Sequence, residues 1–375
     1  MDENTFDVIV IGGGLAGLSS AIQLAVVGRK VLLLEKNKYP FHRVCGEYIS
    51  MESWDYLQRI GVPLSSMKLP QIRTLCISSV HGKTVEQDLG AGGFGISRYT
   101  LDNTMAAIAK RCGVHIMEEC KAEAIEMNGE EFNVRVNKKF FSARLVIGAF
   151  GKRSNLDKEL NRKVNPEKVN WVGVKYHVKA DVPDNRIELH NFNGGYCGIS
   201  KVDNGNHCLC YLTRSENLKQ CDGDIRRMEE NILSINPFLK IYFSNREHFL
   251  FKEPVTISQI NLGKKRAVEN HVLMMGDAAG MIAPLCGNGM SMALHSAEMS
   301  FIIIENFLAG NISRAEMEQE YLSRWKLLFA GRLKTGRLLQ PVLVKPALTN
   351  PAIGLLNKFP SLLSLIIKFT HGKPF

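Results

Sequence analysis

Three kinds of hydrophobic pattern alternate along this chain. Residues 8–11, VIVI, form an unbroken β-branched run, which is the pattern of a strand buried on both faces. Residues 15–27 carry apolar side chains at helical spacing, and residues 31–34, VLLL, give a second buried strand. Residues 72–88 read as a hairpin turning at 81–83, HGK, and residues 97–114 as a helix that stops at Gly113. From 115 to 150 polar and apolar residues alternate, with turns at Asn128-Gly129 and Asn137-Lys138. That stretch predicts an antiparallel meander ending in a buried strand over 145–149. Further strands fill 171–213, and 222–235 reads as a helix. At 271–280, HVLMMGDAAG, a strand again runs into a glycine turn, and a long helix follows from about Gly289 to Leu308. Beyond it, short apolar segments are separated by Pro341, Pro346, Pro351 and Pro360, each expected to end or prevent a helix.

The order of these patterns predicts an α/β chain with a discontinuous Rossmann-like domain, drawn from 1–70, 97–165 and 260–310. A mostly antiparallel sheet, 71–96 and 166–259, is inserted into it, and a helical region, 311–375, follows. The inserted sheet is the natural place for a substrate.

The first strand–helix junction carries specific chemistry. Gly12, Gly14 and Gly17 fit G-x-G-x-x-G. The first permits the tight turn, the second lets a pyrophosphate approach the backbone, and the third lets helix and strand pack closely. The helix N-terminus offers free N–H groups and a positive dipole end to phosphates. Glu35 closes the second strand about 20 residues on, where a carboxylate accepts from a ribose 2′-OH. An acid there favours FAD or NAD over NADP. In the second junction Asp277 follows a buried strand, so its carboxylate can accept from ribityl hydroxyls. Gly287 and Gly289 let backbone approach a flat ring, and the helix starting there directs its positive end at the ring.

Composition adds charge to this picture. The 375 residues carry a net charge of +10, and 331–375 holds seven basic residues without one acid. They are Arg332, Lys334, Arg337, Lys345, Lys358, Lys368 and Lys373. A solvated basic face explains such a tail; a patch that meets an anionic partner explains it more sharply. The nine cysteines include no C-x-x-C pair, so neither a zinc site nor a disulfide framework is indicated, and no metal is expected. No apolar run reaches the ~18 residues of a membrane span. The acidic start, MDENTFD, leads straight into the first strand, so the expectation is a cytoplasmic protein without a signal peptide.

Four stretches together resemble the para-hydroxybenzoate hydroxylase-like flavoproteins, and within them the geranylgeranyl reductase-like branch. They are the glycine triplet with Glu35, then YPFHRVCGEYIS (39–50), SRYTLDNTMAAIAKRCGV (97–114) and MGDAAGMIAPLCGNGMSMAL (275–294). The resemblance implies FAD, with NAD(P)H as electron donor. It places cofactor contacts at Gly12, Gly14, Leu15, Ala16, Gly17, Glu35 and Lys36. It adds Arg43, Cys45, Gly46, Glu47, Arg98 and Gly151, then Gly276, Asp277, Gly287, Asn288, Gly289 and Met290. Cys45, Pro284 and Gly287 are the catalytic candidates, and Cys45 as a small buried hydrophobe is the plain alternative. The chain departs from the hydroxylase pattern at Ala149-Phe150-Gly151, where those enzymes have Ala-Asp-Gly, which puts the source of electrons in doubt. Lys152 and Arg153 could still meet a pyrophosphate. The Trp-x-Trp-x-Ile-Pro signature of flavin halogenases is missing.

Three functions follow from the resemblance. The leading one is a flavin monooxygenase hydroxylating an aromatic, polyketide-like or lipophilic substrate. The second, favoured by RVCGE, is an ene-reductase of prenyl or lipid double bonds. The third is a flavin-binding partner protein without turnover. No nucleic-acid partner is expected. The tail, 338–369, either packs on the FAD domain and caps a substrate tunnel, or touches a membrane surface or an acidic carrier protein.

Overall fold

The computed structural model describes residues 4–162 and 171–375. Two sheets organise it. In the first, the order is Val272–Met274, Lys139–Gly148, Thr5–Ile11, Val31–Leu34 and His115–Met117, all parallel. The chain leaves the central strand Thr5–Ile11 toward one side first and returns on the other. Its carboxyl end is therefore a topological switch point, where open α/β sheets bind ligands. The hairpin Ala122–Asn128 with Glu131–Val136 leans on Lys139–Gly148. Its following turn uses Asn137 and Lys138, both at positive φ, as a two-residue hairpin turn requires. Helices Leu15–Val26, Arg98–Arg111 and Gly289–Leu308 pack together on this sheet.

The second sheet runs Val255–Ile260, Trp171–Val178, His207–Arg214, Gly195–Lys201, Arg186–Phe192, Gln71–Ser78, Thr84–Gly95, Tyr48–Ser50. Its neighbours are antiparallel except Arg186–Phe192 with Gln71–Ser78. The strand Tyr48–Ser50, from the segment that the sequence assigns to the nucleotide domain, pairs with Thr84–Gly95 and so forms an edge of the second sheet. The helix expected over 222–235 is shorter. Asp224 caps Ile225–Asn231, and only a single tight turn, Leu233–Ile235, follows.

The proline expectation needs correction. Pro341 lies inside the helix Arg314–Val344, three residues from its end, and Pro351 lies inside Pro346–Lys358. Pro346 and Pro360 do not prevent helices but begin them, at the first position, where a missing N–H costs nothing. The Thr349 hydroxyl donates among the freed carbonyls, 2.9 Å from Val342 O and 3.0 Å from Lys345 O. The last two helices, Pro346–Lys358 and Pro360–Thr370, meet at 108°. No single helix among the described residues is long and apolar enough to cross a membrane.

Candidate active site

At the switch point, Gly12 has φ +107°, and a side chain there would run into Ala149 O. A Cβ on Gly17 would lie 2.0 Å from Gly12 O, so this glycine permits the close helix–strand contact. Gly14 differs from both. A Cβ there would meet only Arg98, at 3.5 Å, because this glycine faces open space.

That space is one cavity of about 1500 Å³. It exceeds the ~300–1000 Å³ that a single drug-sized ligand occupies, so it has room for a cofactor and a second molecule. Every residue singled out from the sequence lines it except Gly17, which is buried in the turn, and Asn288. Asn288 instead donates from Nδ2 to Thr370 O, 2.8 Å away, which ties the Gly287–Gly289 loop to the last helix. Gly287 is left-handed at φ +65° over the Tyr48 ring, and Gly289 opens the twenty-residue helix Gly289–Leu308.

The two acidic candidates are placed differently. Glu35 is buried, and its carboxylate accepts four hydrogen bonds. They come from Gly13 N (2.9 Å), Arg43 (2.9 Å), and the backbone and side chain of Asn37 (3.0 Å each). A carboxylate has about four lone-pair sites, so a ribose hydroxyl must share or displace one of these donors. Asp277 follows Met274 in a tight turn on the cavity wall, and among the described residues no group hydrogen-bonds its carboxylate. Arg162 positions that turn. It pairs with Asp157 at 2.8 Å and donates to Ala278 O at 2.9 Å.

Sequence reasoning did not find Asp102. It is buried on helix Arg98–Arg111 and takes Arg98 at 2.6 and 2.8 Å and Arg43 Nε at 2.9 Å. Burial acts to lower the Arg98 pKa, but Asp102 outweighs it and raises it above its ordinary value. Two permanently charged guanidinium groups are thereby fixed beside Gly13 and Gly14, an arrangement that fits a pyrophosphate. The i, i+4 spacing of Arg98 and Asp102 was the available signal. Asp102→Asn is expected to weaken flavin binding about tenfold or more, corresponding to the ~1.5–3 kcal/mol of a charged hydrogen bond. Isothermal titration of the apoprotein with FAD measures it, and unchanged affinity would remove Asp102 from this role.

Glu47 sits on the cavity wall at φ +56°, a conformation that only surrounding contacts hold in a non-glycine residue. Its carboxylate turns away into the protein. It takes Arg98 N at 2.7 Å, the Lys175 ammonium, and His177 Nε2 at 2.6 Å. Both partners come from strand Trp171–Val178 of the second sheet. Glu47 therefore ties the Cys45-Gly46 turn to strand Trp171–Val178 and to the start of helix Arg98–Arg111, with its charge turned away from the cavity. Glu47, His177 and Cys208 also bring three potential metal donors within 4.8 Å of one another. Lys175 already supplies the positive charge there, and burial pushes the Cys208 thiol well up, so this reads as an ion-pair cluster.

Cys45 lines the cavity, and its carbonyl accepts from Cys208 Sγ at 3.2 Å. Tyr48 also lines the cavity, and its buried hydroxyl has no hydrogen-bond partner among the described residues; the sequence did not announce it. Phe150, in place of the expected Asp, also faces the cavity, while Lys152 bridges to Val44 O at 3.0 Å. Beyond Pro284 the lining turns apolar. Leu339, Leu343, Ile353, Leu356, Leu363 and Ile367 of the last three helices close the far end.

Known proteins bear on this arrangement. Residues 5–319 match the family described as FAD binding domain. A digeranylgeranylglycerophospholipid reductase of Methanococcus vannielii is 26% identical over 353 residues, 86% of this chain and 83% of its own. Conditioned medium factor receptor 1 of Dictyostelium discoideum is 25% identical, over 88% of this chain and 69% of its own. Among solved structures, p-nitrophenol 4-monooxygenase from Pseudomonas putida superposes at a TM-score of 0.78. It covers 99% of this chain and 100% of its own at 15% identity, which shows a shared fold.

Proposed function

Since the chain belongs to the FAD binding domain family and is an FAD-dependent oxidoreductase, we propose that it adds two hydrogens across a carbon–carbon double bond of a long, prenyl-type lipid. The observation that carries this is the far end of the cavity, lined by leucine and isoleucine from three helices. A flat aromatic substrate needs a short slot, whereas an extended apolar chain fills such a length. The reductase likeness in sequence and Phe150 at the hydroxylases' Asp position point the same way.

In this reading the residues fit FAD as follows. Gly14 leaves backbone room for the pyrophosphate, and Arg43 and Arg98 neutralise it. Glu35 faces the ribose end, and Asp277 has acceptor capacity for ribityl hydroxyls. The helix starting at Gly289 turns its positive end to the ring. Bound FAD supplies the two-electron chemistry, with NAD(P)H as the donor that recharges it. The double bond then gains a hydride on one carbon and a proton on the other. Cys45 and Tyr48, beside the Gly287 turn, are the candidates on the wall for giving that proton. A substrate of this kind resides in a membrane, and the basic tail would meet it there.

The test is the product. Flavin-loaded protein, NADPH and a geranylgeranyl lipid, incubated without oxygen, should give a product two hydrogens heavier. Hydroxylation is the second reading, favoured by the full-length likeness to the nitrophenol monooxygenase. A strict oxygen requirement with an added oxygen atom would establish it and overturn the first. Cys45→Ser should lower kcat about a hundredfold or more, within the ~10²–10⁴ range of general acid catalysis, with stability little changed. Unchanged turnover would return Cys45 to a packing role.

A further inference from the structure

We infer that the elbow between the last two helices is a docking surface for an anionic lipid membrane, and that the cavity opens there. The inference rests on the lipophilic substrate proposed above. Leu355 and Leu362 are each part of the cavity wall and are 49% and 38% exposed, one on each of the two helices at the elbow. The cavity therefore reaches the outside between Pro346–Lys358 and Pro360–Thr370. Around that opening Leu348, Phe359, Leu365 and Phe369 are exposed as well.

The helix Pro360–Thr370 shows the pattern clearly. Leu362, Leu365 and Phe369 lie on one face at spacings of three and four residues and point outward. Leu363, Ile366 and Ile367 turn inward to the cavity. A helix apolar on both faces suits a place that is dry on both sides. The two helices have 13 and 11 residues and are bent by 108°. A span needs about 20 residues, so they fit a dip into the interface and not a crossing.

Charge selects the kind of surface. Lys358 lies over the Phe359 ring at the elbow, Lys345, Lys368 and Lys373 flank or end the two helices in the chain, and 331–375 contains no acid. Among the described residues none of these lysines forms a salt bridge. Arg332 alone of the seven basic residues turns inward, to Glu52 at 3.5 Å. An acidic carrier protein would satisfy the lysines but leaves six large apolar side chains to water. An anionic bilayer satisfies both.

The experiment uses flavin-loaded, full-length protein and vesicles of phosphatidylcholine, with or without phosphatidylglycerol. Expected is co-sedimentation with the anionic vesicles, at least tenfold weaker binding to neutral ones, and loss as salt rises. Leu365→Glu with Phe369→Glu should reduce vesicle binding at least tenfold. Both side chains are exposed and outside the cavity, so bound flavin and the unfolding midpoint should stay the same. The variant should also lose turnover of vesicle-embedded lipid while keeping turnover of a short soluble analogue. Failure to bind any vesicle, or equal salt-insensitive partition of wild type and variant, overturns the inference. So does capture by an acidic carrier protein in place of vesicles. Vesicle binding without reduction of any lipophile would leave the docking surface standing and defeat the reaction. Turnover of a soluble lipophile without vesicle binding would do the reverse.

Discussion

Replacing Glu47 with alanine is expected to cost about 3–5 kcal/mol, because the Lys175 ammonium is left buried without its partner. Both side chains are fully inaccessible, and the pair ties the segment that enters strand Tyr48–Ser50 to strand Trp171–Val178. Adding Lys175→Met should recover much of the loss, since an apolar side chain of similar volume removes the unpaired charge. Urea unfolding followed by circular dichroism checks both variants. A single variant within about 0.5 kcal/mol of wild type, the range of ordinary surface changes, would mean that the Glu47–Lys175 pair does not hold these strands together.

The same cluster sets a pH dependence. Burial pushes the Glu47 carboxyl up, but Lys175 and His177 outweigh it and hold it at about 2, below its ordinary 4.5. A carboxyl lowered by folding stabilises fully above its unfolded pKa and loses that stabilisation as pH falls toward the folded one. Burial also holds His42 and His295 at about 4, below their ordinary 6.5. Half-buried His42 and buried His295 are neutral in the fold, so stability begins to fall below pH 6.5. Acid unfolding should thus weaken the protein first between pH 6.5 and 4, then again below 4.5. The lower stage should shrink in Glu47→Ala, leaving the part carried by Glu118 and Glu188, which the fold also holds below their ordinary value.

Gly14→Val should abolish flavin binding while leaving the fold intact. The added side chain has room in the protein, close only to Arg98, and occupies the space where a pyrophosphate approaches. Gly17→Val should do the opposite and disrupt folding itself, since its Cβ collides with backbone at Gly12. The visible absorbance of oxidised flavin, set against the circular dichroism spectrum, separates the two. A yellow Gly14→Val protein would move the cofactor elsewhere.

Both glycine junctions were readable from the sequence because their information is local: strand, turn and helix follow one another within twenty residues. Glu47 shows what local reading misses. RVCGE draws attention to it, but its partners lie 128 and 130 residues away, on strand Trp171–Val178. No spacing announces such a pair, so the motif alone implies a cofactor contact and not an ion pair. Asp102 was hidden for a related reason. One helix turn links it to Arg98, but only the fold brings Arg43 to its other side. The prolines misled differently. Proline in the first helical turn is harmless, and a helix already anchored by Ile353 and Leu356 against the second sheet carries an internal one.

The hydrogen bond from Asn288 to Thr370 O has a consequence for how the protein is handled. Past Thr370, Phe375 stacks on His295 at 4.1 Å, and the Gly372 backbone is wedged between Glu52 and Arg332. These last residues are the rear support of the Gly287–Gly289 loop. Removing residues 371–375 would therefore loosen the loop from behind and cost bound flavin without touching a group that lines its pyrophosphate end.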